Sequence, residues 1–268
     1  VGLRFCDLTD SADVEAALDD TTCCIFMEVM TNPQLEVADI AALSSLAHKH
    51  RLPLIADTTM VPFIVFDGKA LGIDVEVVSS TKYISGGATS IGGLVILHAA
   101  ESDFKRRMRQ EMLMNFGAYM TPHVAYMQTL GLETLAVRYE KQTQNALAMA
   151  EALQRMPEVK AVRYPGLQTD AFHDVAVRQF GERPGAMLTL ELESREACFR
   201  FLDRLQLICR ATNLFDNRSL AIHPASTIFG NFTEAQRRDM DISEHLIRLS
   251  AGLEDADDLI DDLRQALK

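Results

Sequence analysis

Short apolar segments alternate with helical patterns in the N-terminal part of the chain, and this alternation constrains the fold more than any other feature. The apolar segments at residues 23–27, 53–56, 75–78 and 92–97 read as strands, the first of them fully buried. Residues 37–49 carry their apolar side chains on one helical face. Strands and helices that alternate in this way form βαβ units, so the sequence predicts an α/β fold with a largely parallel sheet.

Polar clusters follow three of these strands, at residues 28–33, 57–59 and 79–82. A single carboxylate after a strand is usually a helix cap or a turn residue, and a single loop lysine is usually solvated. The carboxyl ends of parallel strands meet at one edge of a sheet, where ligands bind in such folds. Three polar clusters at one edge of the sheet therefore indicate a ligand-binding site.

The residue types in these clusters match one cofactor, pyridoxal phosphate (PLP). The amine of Lys82 would form a Schiff base with the PLP aldehyde, and Asp57 would keep the pyridine nitrogen protonated. Ser79 and Thr81 would donate hydrogen bonds to the phosphate. From these residues alone, a PLP site and a merely polar sheet edge are about equally favoured.

The order of the motifs and the residues within them resemble those of a known family. Residues 77–93, VVSSTKYISGGATSIGG, resemble the lysine signature of the Cys/Met-metabolism PLP-dependent enzymes, the cystathionine gamma-synthase family. Residues 55–59, IADTT, are similar to the segment of that family with the pyridine-binding aspartate, and residues 28–33, EVMTNP, to its E-[ST]-P-x-N-P segment. The resemblance implies that Lys82 holds the cofactor, Asp57 binds its ring nitrogen and Asn32 its 3-hydroxyl.

Two C-terminal segments agree with this resemblance. Residues 247–255, IRLSAGLED, resemble the family segment whose arginine binds the substrate α-carboxylate, which implies that role for Arg248. The planar guanidinium of arginine suits two-point recognition of a carboxylate. Residues 213–227, NLFDNRSLAIHPAST, resemble another family segment and place Asn213 as a second contact to that carboxylate.

The family resemblance implies the fold-type I, aminotransferase-like architecture of PLP-dependent transferases. We predict an incomplete large α/β PLP-binding domain over residues 1–130, a connecting helix over residues 131–156 and a smaller α+β domain over residues 157–268. The resemblance also implies a homodimer or homotetramer with sites shared between subunits. No metal site is expected, because the histidines lack metal-like helical spacing.

The wording of the motifs is nearest to the O-acetylhomoserine sulfhydrylase branch. This resemblance implies γ-replacement on an O-acylated homoserine by sulfide or a thiol, as in methionine biosynthesis. Two alternatives within the family stay open: elimination, as in methionine gamma-lyase, and the cystathionine lyase or synthase reactions. An alternative of another class is a catalytically silent homologue that acts as an assembly partner.

The chain also departs from the family pattern. It matches only the latter two thirds of the usual family length, so the N-terminal third, with further cofactor contacts, is expected to be missing. Residues 70–100 contain no arginine, which leaves the phosphate without its usual cationic partner. Gly87 stands where the family has histidine and Phe215 where it has glycine. We expect Phe215 to distort or narrow the substrate pocket.

Charge and composition exclude several other classes of protein. The 26 basic and 38 acidic side chains give a net charge of −12, which disfavours nucleic acid as a partner. No apolar stretch is long enough to span a membrane. The five cysteines show no C-x-x-C spacing, so a reducing cytoplasm is the expected location.

Overall fold

The computed structural model describes residues 2–98 and 103–268, and within these residues the strands form two sheets. The first sheet has the order β1-β2-β3-β4, with β1 at Ile25–Glu28, β2 at Leu54–Asp57, β3 at Val75–Val78 and β4 at Leu94–Leu97. Strands β1, β2 and β3 are parallel, as predicted, whereas β4 runs antiparallel to β3. The fold is mixed α/β, in agreement with the prediction.

The prediction of a fully buried first strand over residues 23–27 is wrong in two respects. Strand β1 begins at Ile25, after the exposed Cys23. Phe26 is 55% exposed, because alternate residues of β1 point to an uncovered face of the sheet. Only the opposite face, with Ile25 and Met27, packs into the core. One face of the first sheet therefore stays open beside the polar edge.

The second sheet has the order β5-β6-β9-β8-β7. Its strands are β5 at Ala161–Arg163, β6 at Met187–Glu191, β7 at Cys209–Arg210, β8 at Leu220–Ile222 and β9 at Leu246–Ser250. Neighbouring strands are antiparallel except for β7 and β8. Arg248 pairs with Thr189 on one side and Ile222 on the other, so it occupies the middle of the sheet.

Nine α-helices accompany the sheets in the described ranges. They are α1 at Ser11–Ala17, α2 at Ile40–Lys49, α3 at Asp103–Arg107, α4 at Pro122–Glu133, α5 at Leu135–Leu153, α6 at His173–Phe180, α7 at Arg195–Arg204, α8 at Glu234–Asp239 and α9 at Ala256–Leu267. Helix α3 continues as a π-helix at Met108–Asn115, and 3-10 turns lie at Tyr83–Ser85 and Pro224–Ser226. Within these ranges, every helix is too short or too polar to cross a bilayer.

Helix α5 joins the two halves of the molecule through one continuous hydrophobic core. Its buried face combines apolar residues such as Met149 with two buried amides. Gln142 donates a 2.8 Å hydrogen bond to the carbonyl of Asp216, and Asn145 donates bonds of 2.9 and 2.8 Å to the carbonyls of Gly252 and Glu254. The helix thus fixes the loops around β8 and β9. The domain boundaries at residues 130 and 156 stay a prediction.

Candidate active site

Two carboxylates lie side by side where the first two strands end. The register of β1 and β2 pairs Glu28 directly with Asp57. Asp57 Oδ1 accepts a 2.8 Å hydrogen bond from the backbone N–H of Thr59, and Glu28 Oε2 accepts a 3.2 Å bond from the N–H of Asn32. Burial among the neighbouring segments, followed by the charge of Asp57, raises the pKa of Glu28 to about 7. The edge therefore holds one carboxylate that gains a proton near neutral pH.

This titration predicts how stability depends on pH. The pKa of Glu28 is raised in the folded chain, so the folded state binds more protons than the unfolded state between the ordinary glutamate pKa of 4.5 and about 7. Stability contributed by protonated Glu28 is therefore lost as pH rises through that window. Glu28→Gln is expected to flatten the decline by about 1 kcal/mol, a value reduced for the solvent-exposed side of the group.

Urea unfolding followed by circular dichroism at pH 5 and pH 8 measures this effect. Glu36→Gln is a comparison variant, since burial also raises the pKa of that carboxyl without a contribution from Asp57; it shows how much of the decline comes from a carboxyl outside this pair. Equal pH dependence in the parent chain and Glu28→Gln would contradict the prediction.

Lys82 lies in the loop after β3, at the same edge of the sheet. Its Nζ donates a 2.6 Å hydrogen bond to Oδ1 of Asn213, which lies 131 residues later in the sequence. The amine is half-buried, and burial together with the positive charge of Arg248 lowers the pKa of Lys82. A lysine with a lowered pKa has a larger fraction of neutral, nucleophilic amine at neutral pH. A lowered pKa of Lys82 is what reaction of its amine with a carbonyl group would require.

The two hydroxyl residues before Lys82 make different contacts. The Thr81 hydroxyl donates to the carbonyl of Gly92 and accepts from its N–H, at 3.2 and 3.0 Å, so it closes the local loop. It would donate to a phosphate only by releasing that carbonyl. The backbone N–H of Ser79 donates to Thr59 Oγ1 at 2.9 Å, and the Ser79 side chain is partly exposed. Ser79 is thus the better placed of the two to donate to a ligand.

Arg248 is a buried cation without a carboxylate partner among the described residues. It is 2% exposed, and its Nη atoms donate to Asn32 Oδ1 at 3.1 Å and to the carbonyls of Thr212 and Asn213 at 2.9 and 3.1 Å. Burial lowers the pKa of Arg248 to about 10, which leaves it charged at neutral pH. A buried charge held only by neutral oxygens is costly unless an anion joins it. The environment of Arg248 therefore favours a bound carboxylate.

The structure brings most of the predicted site residues into one hydrogen-bonded chain. Lys82 contacts Asn213, whose carbonyl accepts from Arg248, and Arg248 contacts Asn32. Asp57 lies on the strand next to the Asn32 segment, and Ser79 is tied to it through Thr59. Thr81 shares the Lys82 loop but directs its hydroxyl to Gly92.

Sequence reasoning missed the role of two residues at this edge. Glu28 is the first residue of the EVMTNP motif, but its pairing with Asp57 depends on the register of β1 and β2. Thr59, whose hydroxyl accepts from the Ser79 N–H, had no signal beyond its place in a polar cluster.

The expectation that Phe215 distorts or narrows the substrate pocket is wrong. Phe215 adopts a φ of 57°, the left-handed region that favours glycine, but its side chain is fully buried. Its ring stacks on Tyr83 with centroids 3.9 Å apart. The Phe215 side chain is therefore part of the hydrophobic core.

Comparison with known proteins places this constellation in a family. The family profile described as Cys/Met metabolism PLP-dependent enzyme matches residues 1–268. The chain belongs to this family. It is 39% identical to the L-methionine gamma-lyase of Pseudomonas putida over 270 residues, covering 100% of this chain and 67% of that protein. The chain thus spans about two thirds of the length of this curated relative.

Two solved structures of family members share the fold. The O-acetylhomoserine sulfhydrylase of Wolinella succinogenes is 44% identical, with a TM-score of 0.87 over 99% of this chain and 77% of that chain. A Campylobacter jejuni protein assigned as an O-acetylhomoserine (thiol)-lyase is 35% identical, with a TM-score of 0.92 over 97% of this chain and 69% of that chain, and it carries a pyridoxyl-lysine monophosphate. The chain therefore has the fold-type I architecture of PLP-dependent transferases.

The residues present fit the cofactor of the family. An activated lysine is available for the PLP aldehyde, and Asp57 lies half-buried on the open side of the first sheet. Asn32 Oδ1 is occupied by Arg248, so its amide N–H₂ is left to donate to a ring hydroxyl. Ser79 has the donor that a phosphate requires. The donor set thus has a partner for the aldehyde, the ring nitrogen, the hydroxyl and the phosphate.

Proposed function

We propose that this chain forms the lysine and carboxylate side of the active site of an O-acylhomoserine sulfhydrylase. In this reaction the γ-acyloxy group of the amino acid is replaced by sulfide or a thiol, and sulfide yields homocysteine. The observation that carries the proposal is the chain of contacts from Lys82 through Asn213 and Arg248 to Asn32. Lys82, whose amine has a lowered pKa, and Arg248, a buried cation suited to an α-carboxylate, both hydrogen-bond to Asn213, and this shared contact supports the proposal.

The bound cofactor supplies an electron-accepting ring that stabilises negative charge at the carbons next to the substrate amine. The protein residues supply the rest of the chemistry. Lys82 would hold the cofactor and, once released by the substrate amine, move protons at its Nζ. Arg248 and Asn213 would orient the α-carboxylate, which sets the Cα–H bond in reach of that amine. Asp57 would hold the proton on the ring nitrogen.

Replacement by sulfide is supported by similarity and by motif wording. Identity to the W. succinogenes O-acetylhomoserine sulfhydrylase is 44% over nearly the whole chain. Residues 86–90, GGATS, and the NLFD segment at residues 213–216 are nearest to the same branch.

A second candidate is γ-elimination from methionine. The 39% identity to the P. putida L-methionine gamma-lyase supports it, and the same site residues would serve both reactions. Elimination ends in release of a keto acid and ammonia, whereas replacement requires a nucleophile to reach the γ-carbon.

A product assay on the full-length holoenzyme separates the two candidates. O-acetylhomoserine with sulfide is expected to give homocysteine at a kcat/KM at least about tenfold above that for 2-oxobutyrate from methionine. Homocysteine, 2-oxobutyrate and ammonia are measured in parallel by mass spectrometry and a coupled assay. Faster release of 2-oxobutyrate from methionine would contradict the sulfhydrylase proposal and favour the lyase.

We also propose that the chain assembles with itself, as a homodimer or homotetramer with shared sites, in the cytoplasm. Exposed apolar side chains on and around the α3–α4 segment support an interface, namely Phe104, Met112, Leu113, Met114, Phe116, Tyr119, Tyr126, Leu130, Leu132 and Val137. All five cysteines are free thiols, which is consistent with a reducing compartment.

A further inference from the structure

Two loops of the active site are joined by a series of matched contacts. We call residues 82–87 the lysine loop and residues 213–217 the carboxylate loop. Their first contact is the 2.6 Å hydrogen bond from Lys82 Nζ to Asn213 Oδ1. One residue further along the lysine loop, Tyr83 stacks on Phe215, with ring centroids 3.9 Å apart and planes inclined by 12°. The two loops therefore pack as one unit from their first residues.

The last contact joins the far ends of both loops. Asn217 Nδ2 donates a 3.1 Å hydrogen bond to the carbonyl of Gly86. A Cβ atom at Gly87 would lie 2.7 Å from Asn217 Nδ2, and Gly87 has a φ of 107°, which side-chain-bearing residues rarely adopt. Asn217 therefore occupies the space that a side chain at position 87 would need.

The two departures from the family motif therefore lie on loops that contact each other. Phe215 stands at a family glycine position and stacks on Tyr83 of the lysine loop, and Gly87 stands at a family histidine position next to space that Asn217 of the carboxylate loop fills. The Phe215 N–H also donates a 2.7 Å bond to Ser250 Oγ, two residues after Arg248 on β9. On the other side, the Tyr83 hydroxyl accepts from the Ala186 N–H at 2.9 Å. Both rings are thus anchored to the second sheet.

We propose that Phe215 is a positioning residue that fixes Lys82 and Asn213 relative to each other through the ring of Tyr83. The inference rests on the proposed roles of Lys82 and Asn213. Both stacked rings are buried; Tyr83 directly follows Lys82, and Phe215 lies two residues after Asn213. Loss of the Phe215 ring would free the carboxylate loop to move away from the amine, and water would enter between them.

Three variants of the full-length holoenzyme test this role. Phe215→Leu removes the stacked ring and keeps the left-handed backbone position filled. Asn217→Ala releases the other end of the loop pair without opening the core. Phe180→Leu is the matched control, since Phe180 is equally buried and packs edge-on against Phe66 at 5.3 Å, in the core between other elements.

Two measurements are made on each variant. In Phe215→Leu, the KM for the amino-acid substrate is expected to rise about five- to tenfold with a smaller change in kcat, because one aromatic pair is lost. The pH midpoint of the visible absorbance of the lysine-bound cofactor is expected to shift upward, because better hydration of the nitrogen that joins Lys82 to the cofactor favours its protonated, charged form. Asn217→Ala is expected to raise the KM and the pH midpoint as well, each by less than Phe215→Leu does. Phe180→Leu is expected to change neither, while losing thermal stability.

Equal midpoints in Phe215→Leu, Phe180→Leu and the parent would overturn the positioning role, as would an Asn217→Ala variant without any shift if Phe215→Leu fails to fold. The absorbance measurement needs no substrate. Formation of 2-oxobutyrate instead of homocysteine in the activity assay would therefore contradict the sulfhydrylase proposal, and the absorbance test of Phe215 would still be valid.

Discussion

Lys82→Ala is expected to lower the kcat of the full-length enzyme by about a thousandfold or more, because both nucleophilic attachment of the cofactor and proton transfer depend on this amine. The Lys82 amine is half-buried and hydrogen-bonded to Asn213 at 2.6 Å, a position that water cannot reproduce with the same orientation. The visible absorbance of the lysine-bound cofactor should also disappear. Steady-state kinetics and absorbance spectra measure the two effects on the same samples.

A matched control separates this effect from loss of any lysine near the sheet. Lys69 is exposed in the loop between β2 and β3, and Lys69→Ala should leave both kcat and the spectrum unchanged. A Lys82→Ala enzyme that keeps more than about a tenth of the parent kcat would contradict the assigned role. A full-length parent without any cofactor absorbance would instead favour a catalytically silent homologue.

Arg248→Met is expected to raise the KM for the amino-acid substrate by about thirtyfold or more, since truncating a buried, hydrogen-bonded charge at a binding contact costs about 2–5 kcal/mol. The guanidinium donates to Asn32 and to two backbone carbonyls. None of the described residues gives it an anionic partner, so the substrate carboxylate would supply one. Arg248→Lys keeps the charge but cannot keep all these bonds, so we expect it to recover only part of the loss.

A substrate analogue isolates the carboxylate contact. The decarboxylated analogue of the substrate should bind the parent and Arg248→Met with similar affinity, measured by the change in cofactor absorbance. Unfolding of Arg248→Met checks the fold, since loss of the guanidinium leaves Asn32 Oδ1 and the carbonyls of Thr212 and Asn213 without this donor. A parent enzyme that binds the carboxylate-free analogue as tightly as the substrate would contradict the role of Arg248.

The candidate site residues could be picked out of the amino-acid sequence partly from their chemistry and order, which are local properties, and partly from the family resemblance. Asp57 ends a strand, and Lys82 and Asn32 follow strands, that apolar residues predict, and parallel pairing then brings the ends of these strands together. The strand with Arg248 was equally visible, since Leu246–Ser250 is apolar on both sides of the arginine. The mixed α/β class followed from the same alternation.

Features that depend on distant parts of the chain were not predictable. Strand β4 is as apolar as a parallel strand would be, so its residues do not indicate that it runs antiparallel to β3. The exposure of Phe26 depends on which face of the sheet is covered, and not on its neighbours in sequence. The direction of the Phe215 side chain required knowledge of a positive φ and of Tyr83, more than a hundred residues earlier.

Helix α5 imposes a constraint on how this protein can be redesigned or can diverge. Gln142 and Asn145 are ordinary-looking polar positions on a long helix, yet both are buried and hold the loops that carry Asn213 and follow Arg248. Exchange of either for alanine, the best helix former, would leave loop carbonyls without donors. Attempts to raise the melting temperature by improving this helix would therefore be expected to weaken amino-acid recognition at the same time.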